Sequence, residues 1–195
     1  MCIPMNVIYL NGASSSGKSS LVRELQTLIP SYYLQIGIDI FIYMMPEKAN
    51  RWESLGPCDG FTWAEVELPN DEVGMRIQSG PYAKDVNKAF HSTALLLLKS
   101  GHNLIIDDIA DGRREVGIWQ EEFAPYNLIT VGVFCSLDEL QRREKARGDR
   151  KIGSAAEQFY RVHQGVDYDL TVNTENASPR QCATQIVEHI TSSFL

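Results

Sequence analysis

Apolar residues follow two rhythms along this chain. Short, mostly apolar runs at Val7 to Leu10, Tyr33 to Ile38, Leu104 to Ile106, Leu128 to Cys135 and Asp169 to Thr174 read as buried strands. Between them apolar residues recur at helical spacing. Leu21, Leu25, Leu28 and Ile29 form one such set, stopped by Pro30, and Ile40 to Met45 begins another. Tyr82, Val86, Phe90, Ala94 and Leu97 mark a long helix whose end, Leu95 to Leu98, is expected to be buried, with Gly101 as its stop. Val116, Trp119 and Phe123 predict a short helix before Pro125. Leu137 to Ala146 is a further helix, with Leu137 and Leu140 inward and Gln141, Arg142, Glu144 and Lys145 outward. Ala155, Phe159 and Val162 mark another. Ser178 and Pro179 start the last as cap and first residue, and Cys182, Ile186, Val187, Ile190 and Phe194 form its apolar face.

Five strands with helices between them predict an α/β fold, a three-layer α/β/α sandwich on a five-stranded parallel sheet. Residues 46–80 break the rhythm, because Pro46, Gly56, Pro57, Gly60, Pro69, Gly80 and Pro81 punctuate them. Trp52, Phe61, Trp63 and Met75 lie in this irregular stretch. Its aromatics suit either the wall of an acceptor pocket or a peripheral hairpin over the core.

Candidate chemistry enters at the first strand–helix junction. Gly12, Ala13, Ser14, Ser15, Ser16, Gly17, Lys18 and Ser19 fit G-x-x-x-x-G-K-[ST], with a strand before and an amphipathic helix after, as a phosphate-binding loop requires. The glycines let backbone N–H groups curl around an anion, and the helix aims its positive end at it. Lys18 is expected to reach the β- and γ-phosphates of ATP, and the Ser19 hydroxyl to hold Mg²⁺. Leu104 to Ile106 runs into Asp107 and Asp108. Side chains alternate along a strand, so the two should point apart, with Asp107 favoured for the metal and Asp108 left for the acceptor or a loop cap. Asp39, after the second strand, stands where ligands gather in such sheets. Position alone leaves it open between a catalytic base and a helix N-cap. Arg147 and Arg150, flanked by Gly148 and Gly153, suit a lid at about 147–153 that steadies the moving phosphoryl.

The bulk properties narrow the classes. The chain has 195 residues, enough for one domain, with 44% hydrophobic and 22% charged residues. A net charge of −7 argues against a non-specific nucleic-acid surface. Cys2, Cys58, Cys135 and Cys182 form no C-x-x-C pair, so reduced thiols in a cytoplasmic protein are expected, and no zinc site. His91 and His102 lack a metal-ligand partner at suitable spacing. No apolar run reaches the length of a membrane span, and no signal peptide is expected. An N-K-x-D segment is absent, so guanine use is not expected.

With these residues in place the chain resembles the chloramphenicol phosphotransferase family of P-loop kinases. The resemblance rests on Ile8 to Ser19, Gly37 to Asp39, Leu104 to Ile109, Ala146 to Arg150 and Val162 to Asp169. It implies a P-loop NTPase, nucleoside-kinase-like fold over residues 1–195 and transfer of the ATP γ-phosphate to a hydroxyl of a small molecule. In the founding member that molecule is the antibiotic chloramphenicol. It also implies that Asp39 is the catalytic aspartate and that Arg147 and Arg150 are lid arginines. Residues 41–79 carry no motif match, so the acceptor is equally another antibiotic, a sugar or a nucleoside. The expected cofactors are ATP and Mg²⁺. The expected partner is a small-molecule hydroxyl acceptor, with no nucleic acid and no membrane, and a homodimer is left open. The rivals are a kinase for another metabolite or an RNA end, and a nucleotide-dependent switch without an acceptor.

Overall fold

The computed structural model describes residues 6–148 and 151–193. Arg150, Cys2 and Phe194 therefore lie outside the described residues. Five parallel strands build the main sheet: β1 (Asn6–Asn11), β2 (Tyr33–Gly37), β5 (Asn103–Asp108), β6 (Asn127–Phe134) and β7 (Leu170–Asn173), in the order β2-β5-β1-β6-β7. β1 is central and pairs with β6 over Asn6–Asn11 and with β5 from Val7 onward, which suits a strand apolar on both faces.

Alternation along the strands sorts the core into two layers. Ile8, Leu10, Ile105, Val131 and Val133 pack with Leu21, Val22 and Leu25 of α1 (Lys18–Leu28) and with Cys182, Ala183 and Ile186 of α7 (Pro179–Ser193). Val7, Tyr9, Leu104 and Ile106 face the other way. They meet Phe90, Ala94 and Leu98 of α3 (Pro81–Lys99) and Val116 and Trp119 of α4 (Gly112–Glu122). This is the expected three-layer sandwich. It brings the ends of β1, β2 and β5, hence Gly12, Asp39 and Asp107, to one edge.

Three sequence expectations need correction. Residues 46–80 are not merely irregular. β3 (Phe61–Glu67) and β4 (Val73–Ser79) form an antiparallel hairpin, turned at Pro69 to Asp71, with Asp71 at φ +62°. The hairpin is anchored where Phe61 packs with Met45 and Ala83 and with Ile38 and Ile42 of α2 (Ile38–Met44). Its acidic outer face, with Glu65 and Glu67 exposed, hid the strand pattern. On α3 the buried face is Ala83, Phe90, Ala94 and Leu98, rotated from the expected one, and Tyr82 and Leu96 are exposed. Leu98 alone of Leu95 to Leu98 is fully buried, and Gly101 supplies the left-handed stop at φ +89°.

The third correction is Glu144 of α5 (Leu137–Arg147), expected outward but only 1% exposed. Its carboxylate accepts from Gly153 N–H (2.9 Å), Ser154 Oγ–H (2.7 Å) and Ala155 N–H (2.8 Å). These groups open α6 (Ser154–Arg161), whose first turn has N–H groups that the helix cannot satisfy itself. A negative charge there also opposes the positive end of the helix. Helical periodicity has no means of announcing such a partner.

Outside the site, His91 is structural. Its ring stacks on Trp119 at 3.7 Å between centroids, and Nδ1 lies 2.7 Å from Glu122. Among the described residues Cys58, Cys135 and Cys182 are free thiols, and no helix is long and apolar enough to cross a membrane.

Candidate active site

The loop after β1 is shaped by close approaches. A Cβ on Gly12 would lie 2.6 Å from the Val133 carbonyl oxygen, so no larger residue fits there. Gly17 (φ +91°) and Ser15 (φ +65°) are both left-handed, and that alternation turns the loop over the start of α1. Lys18 is 6% exposed. Its Nζ donates to Gly12 O (2.8 Å) and Ala13 O (3.1 Å) and lies 3.7 Å from Asp107 Oδ1. The Ser15 and Ser16 hydroxyls are buried without hydrogen-bond partners among the described residues. A buried ammonium folded back on the loop and two orphaned hydroxyls suit an anion that is to be received there.

Ser19 and Asp107 meet at the rim, where Ser19 Oγ donates to Asp107 Oδ2 at 3.0 Å. Asp108 points the other way and accepts from Tyr9 Oη (3.0 Å), Trp119 Nε1 (2.8 Å) and Ile109 N–H (2.8 Å). Of the two uses left open for Asp108, the loop cap is the one seen, and Asp107 faces the cavity. Ser19 and Asp107 offer the hard oxygen ligands that Mg²⁺ prefers. Among the described residues no group of three or more His, Cys, Asp or Glu could hold a metal ion, so the remaining ligands would be phosphate and water oxygens.

Asp39 lies in the first turn of α2, one residue inside the helix, and is exposed. It is not the N-cap. That position belongs to Gly37, whose backbone sits so close to β5 that a Cβ would lie 2.6 Å from the Asp107 carbonyl oxygen.

Two cavities meet at Asp39. One, of about 490 Å³, covers the loop and is lined by Lys18, Ser19, Asp107, Arg142, Arg143 and Arg147. The other, of about 610 Å³, is lined by Ile42, Trp52, Trp63, Ile77, Lys151 and Gln158. Asp39, Ser14 and Ile109 line both. The hairpin aromatics thus serve both roles offered for them: Phe61 holds the hairpin to the core, while Trp52 and Trp63, 5.9 Å apart, wall the second cavity.

Sequence reasoning missed Arg143 and Gln158; Arg142, read as outward, is exposed and stands at the rim of the first cavity. Arg143 clamps the loop from behind, donating to Ser15 O (3.4 Å) and Thr174 O (3.0 Å), while Thr174 Oγ1 donates to Ser16 O (2.6 Å). Glu139 orients both arginines, and hydrogen bonds from Arg142 and then Arg143 hold its carboxyl down to about 2. The i,i+3 and i,i+4 spacing of Glu139, Arg142 and Arg143 was the readable signal. Gln158 carried none, being one polar residue in a helix.

Beside the second cavity a ring of four charges ties β4, the start of α4 and α6 to one another. Arg76 of β4 pairs with Asp111 before α4 and with Glu157 of α6 (3.7 Å), and Arg161 pairs with Glu157 (2.7 Å) and Asp111 (3.2 Å). Met75 N–H also donates to Gly153 O at 3.2 Å, joining the hairpin to the segment expected as a lid.

Residues 5–191 match the profile of the family described as chloramphenicol phosphotransferase-like protein. The chain belongs to that family. A curated relative, "Putative O-phosphotransferase Rv2636" of Mycobacterium tuberculosis, is 28% identical over 182 residues, covering 93% of this chain and 80% of the relative. The M. tuberculosis APS kinase CysC, solved with AMPPNP and APS, superposes with a TM-score of 0.65 at 14% identity, covering 97% of this chain and 99% of that one. A chain of the Pnkp1/Rnl/Hen1 RNA repair complex superposes with a TM-score of 0.59 at 19% identity over 82% of this chain, which spans 44% of that one. At such identities the structural likenesses establish a P-loop kinase fold and nothing finer.

Proposed function

We propose that this member of the family is an ATP- and Mg²⁺-dependent O-phosphotransferase acting on a small hydroxylated molecule. The observation that carries the reading is Asp39, a carboxylate on the shared wall of a phosphate-type cavity and an aromatic-walled one. ATP enters the first, its β- and γ-phosphates held by the loop amides, Lys18 and the hydroxyls of Ser15 and Ser16. Mg²⁺, held through Ser19 and Asp107, would neutralise charge on the phosphate oxygens. The acceptor alcohol enters the second. Its oxygen attacks the γ-phosphorus, forming an O–P bond as the bond to the bridging β–γ oxygen breaks and ADP leaves. Asp39 takes the hydroxyl proton. Arg142 and Arg147 stabilise charge on the moving phosphoryl, with Arg150 assigned to the same task on sequence grounds, while Arg143 holds the loop in shape.

The second cavity favours a small molecule over an RNA end. Residues 41–79, which cover it, hold seven acidic and three basic side chains, a poor surface for a polyphosphate chain. A switch without an acceptor has no use for such a cavity beside Asp39. The test is ATP consumption with chloramphenicol and a panel of other alcohols, with the product read by mass. A phosphorylated alcohol is expected. ATP binding with no product from any alcohol, beside a partner that binds one nucleotide state only, would overturn the reading in favour of the switch.

A further inference from the structure

We infer that Gln158 is a specificity-determining residue that orients the acceptor oxygen, and that the phosphate loop itself holds it in place. The inference rests on the transfer reading above. Gln158 is 5% exposed, and its Oε1 accepts from the Ser14 N–H at 2.6 Å. A carboxamide whose oxygen is committed has the direction of its two Nε2 hydrogens fixed. Those hydrogens have no partner among the described residues, and the side chain lines the larger cavity. The amide nitrogen opens onto that cavity, so both donors are presented to whatever occupies it.

The surroundings hold this amide still. Glu144 caps the start of α6, and the neighbouring Glu157 sits in the ring of four charges. Ser14 lines both cavities, so the group that pins Gln158 is also part of the boundary between nucleotide and acceptor. Asp39 accepts the proton of the attacking hydroxyl, and Gln158 donates to that oxygen or to one beside it. The walls of Ile42, Trp52, Trp63 and Ile77 take an apolar frame. The acceptor class is therefore an alcohol with an apolar or aromatic portion to set against those walls and a reacting or neighbouring oxygen that accepts a hydrogen bond, while Glu53, Lys151 and Ser154 on the same lining can meet further polar groups.

Two variants separate this role from a structural one. Gln158→Glu keeps an oxygen for the Ser14 N–H and removes the donor, and Gln158→Met removes both. Each is assayed with Mg·ATP and chloramphenicol, and with Mg·ATP and water alone, for kcat, KM, Mg·ATP affinity and melting temperature. Both variants are expected to lose about ten-fold or more in kcat/KM for the acceptor. Mg·ATP affinity in Gln158→Met should stay within about three-fold, and Gln158→Glu should melt with the wild type. Wild-type transfer by Gln158→Glu would overturn the inference and leave the transfer reading standing. So would equal losses of nucleotide affinity and transfer in Gln158→Met. A wild-type protein that binds Mg·ATP but consumes none of it, with water or with any alcohol of the panel, overturns both.

Discussion

The phosphate cavity and the acceptor cavity share Asp39, Ser14 and Ile109 but are built on opposite plans. The floor of the first is built from neighbours in sequence, while α2, β5, α5 and the turn after β7 supply the rest of its lining. Eight consecutive residues supply its backbone, its buried ammonium and its hydroxyls, and Asp107 comes from the strand beside β1. The second is assembled from distant segments: α2, the Trp52 segment, the hairpin, residue 151 and α6, with the hairpin and α6 tied by the ring of Arg76, Asp111, Glu157 and Arg161. Seating the phosphates on the loop has a local solution. Choosing an alcohol is a problem of tertiary packing, which can change without disturbing the loop.

Asp39 sits where the plans meet, so its removal is the sharpest way to break the comparison. Asp39→Asn keeps shape and removes the proton acceptor. Transfer should fall by about 10²–10⁴, the usual worth of a general base, while Mg·ATP affinity stays within a few-fold. Equal loss of both, measured by calorimetry and single-turnover transfer, would place Asp39 on the nucleotide side alone. Lys18→Ala should do the reverse and strike binding first. Losing a buried charge-assisted contact to phosphate is expected to weaken Mg·ATP about 10–100-fold, and unchanged binding would remove Lys18 from the phosphate site.

On the other side, Trp63→Ala should raise the acceptor KM by about ten-fold, as loss of a well-packed aromatic anchor does, and leave Mg·ATP affinity alone. Glu144→Gln sharpens the link between the cavities. It retains an oxygen for the N–H groups of α6 but gives up the charge, and should cost about 1–3 kcal/mol of stability. For a chain of this size each kcal/mol lowers Tm by about 2–4 °C. Because α6 carries Gln158, acceptor turnover should fall further than nucleotide affinity. A variant that melts and turns over as the wild type would show the buried cap to be dispensable.

The same division explains what the sequence could disclose. The sheet, its strand count and the loop were legible because alternation and the glycine spacing are local signals, and the core strands Val7 to Leu10 and Leu104 to Ile106 are apolar throughout. The pleat alone showed that Asp107 and Asp108 point apart, and the structure shows which of them faces the cavity. A hairpin was one of the two readings open for residues 46–80, but its strands could not be placed, since their outward residues Glu65 and Glu67 are acidic and break the apolar pattern. Glu144, Gln158 and the ring of charges were invisible for a deeper reason. A polar side chain on a helix defaults to solvent in any periodicity argument, and only the approach of another element gives it a buried partner. The missed residues cluster on α5 and α6, the helices that close both cavities.

His163 gives the smallest and most conditional test, on the rear of the phosphate loop. Its ring stacks on Phe134 at 3.8 Å, and Nδ1 lies 2.8 Å from Tyr168 Oη, which also accepts from Asn11 Nδ2 at 2.9 Å. Burial, reinforced by the nearby Lys18 charge and opposed by a bond to the Val133 backbone, brings the imidazole down from 6.5 to about 4. Burial likewise pushes the Tyr168 phenol up to about 12, so it remains a donor to the neutral ring. The folded protein therefore binds fewer protons at His163 than the unfolded chain between those two values. The sign follows: the contribution is present in full above pH 6.5 and is lost as pH falls toward 4. His163→Phe keeps the stacking and discards the titration. Its deficit relative to the wild type, followed by thermal melting, should shrink through that window. A constant deficit from pH 7 to 4 would mean that the ring takes its proton in the fold as readily as in the open chain.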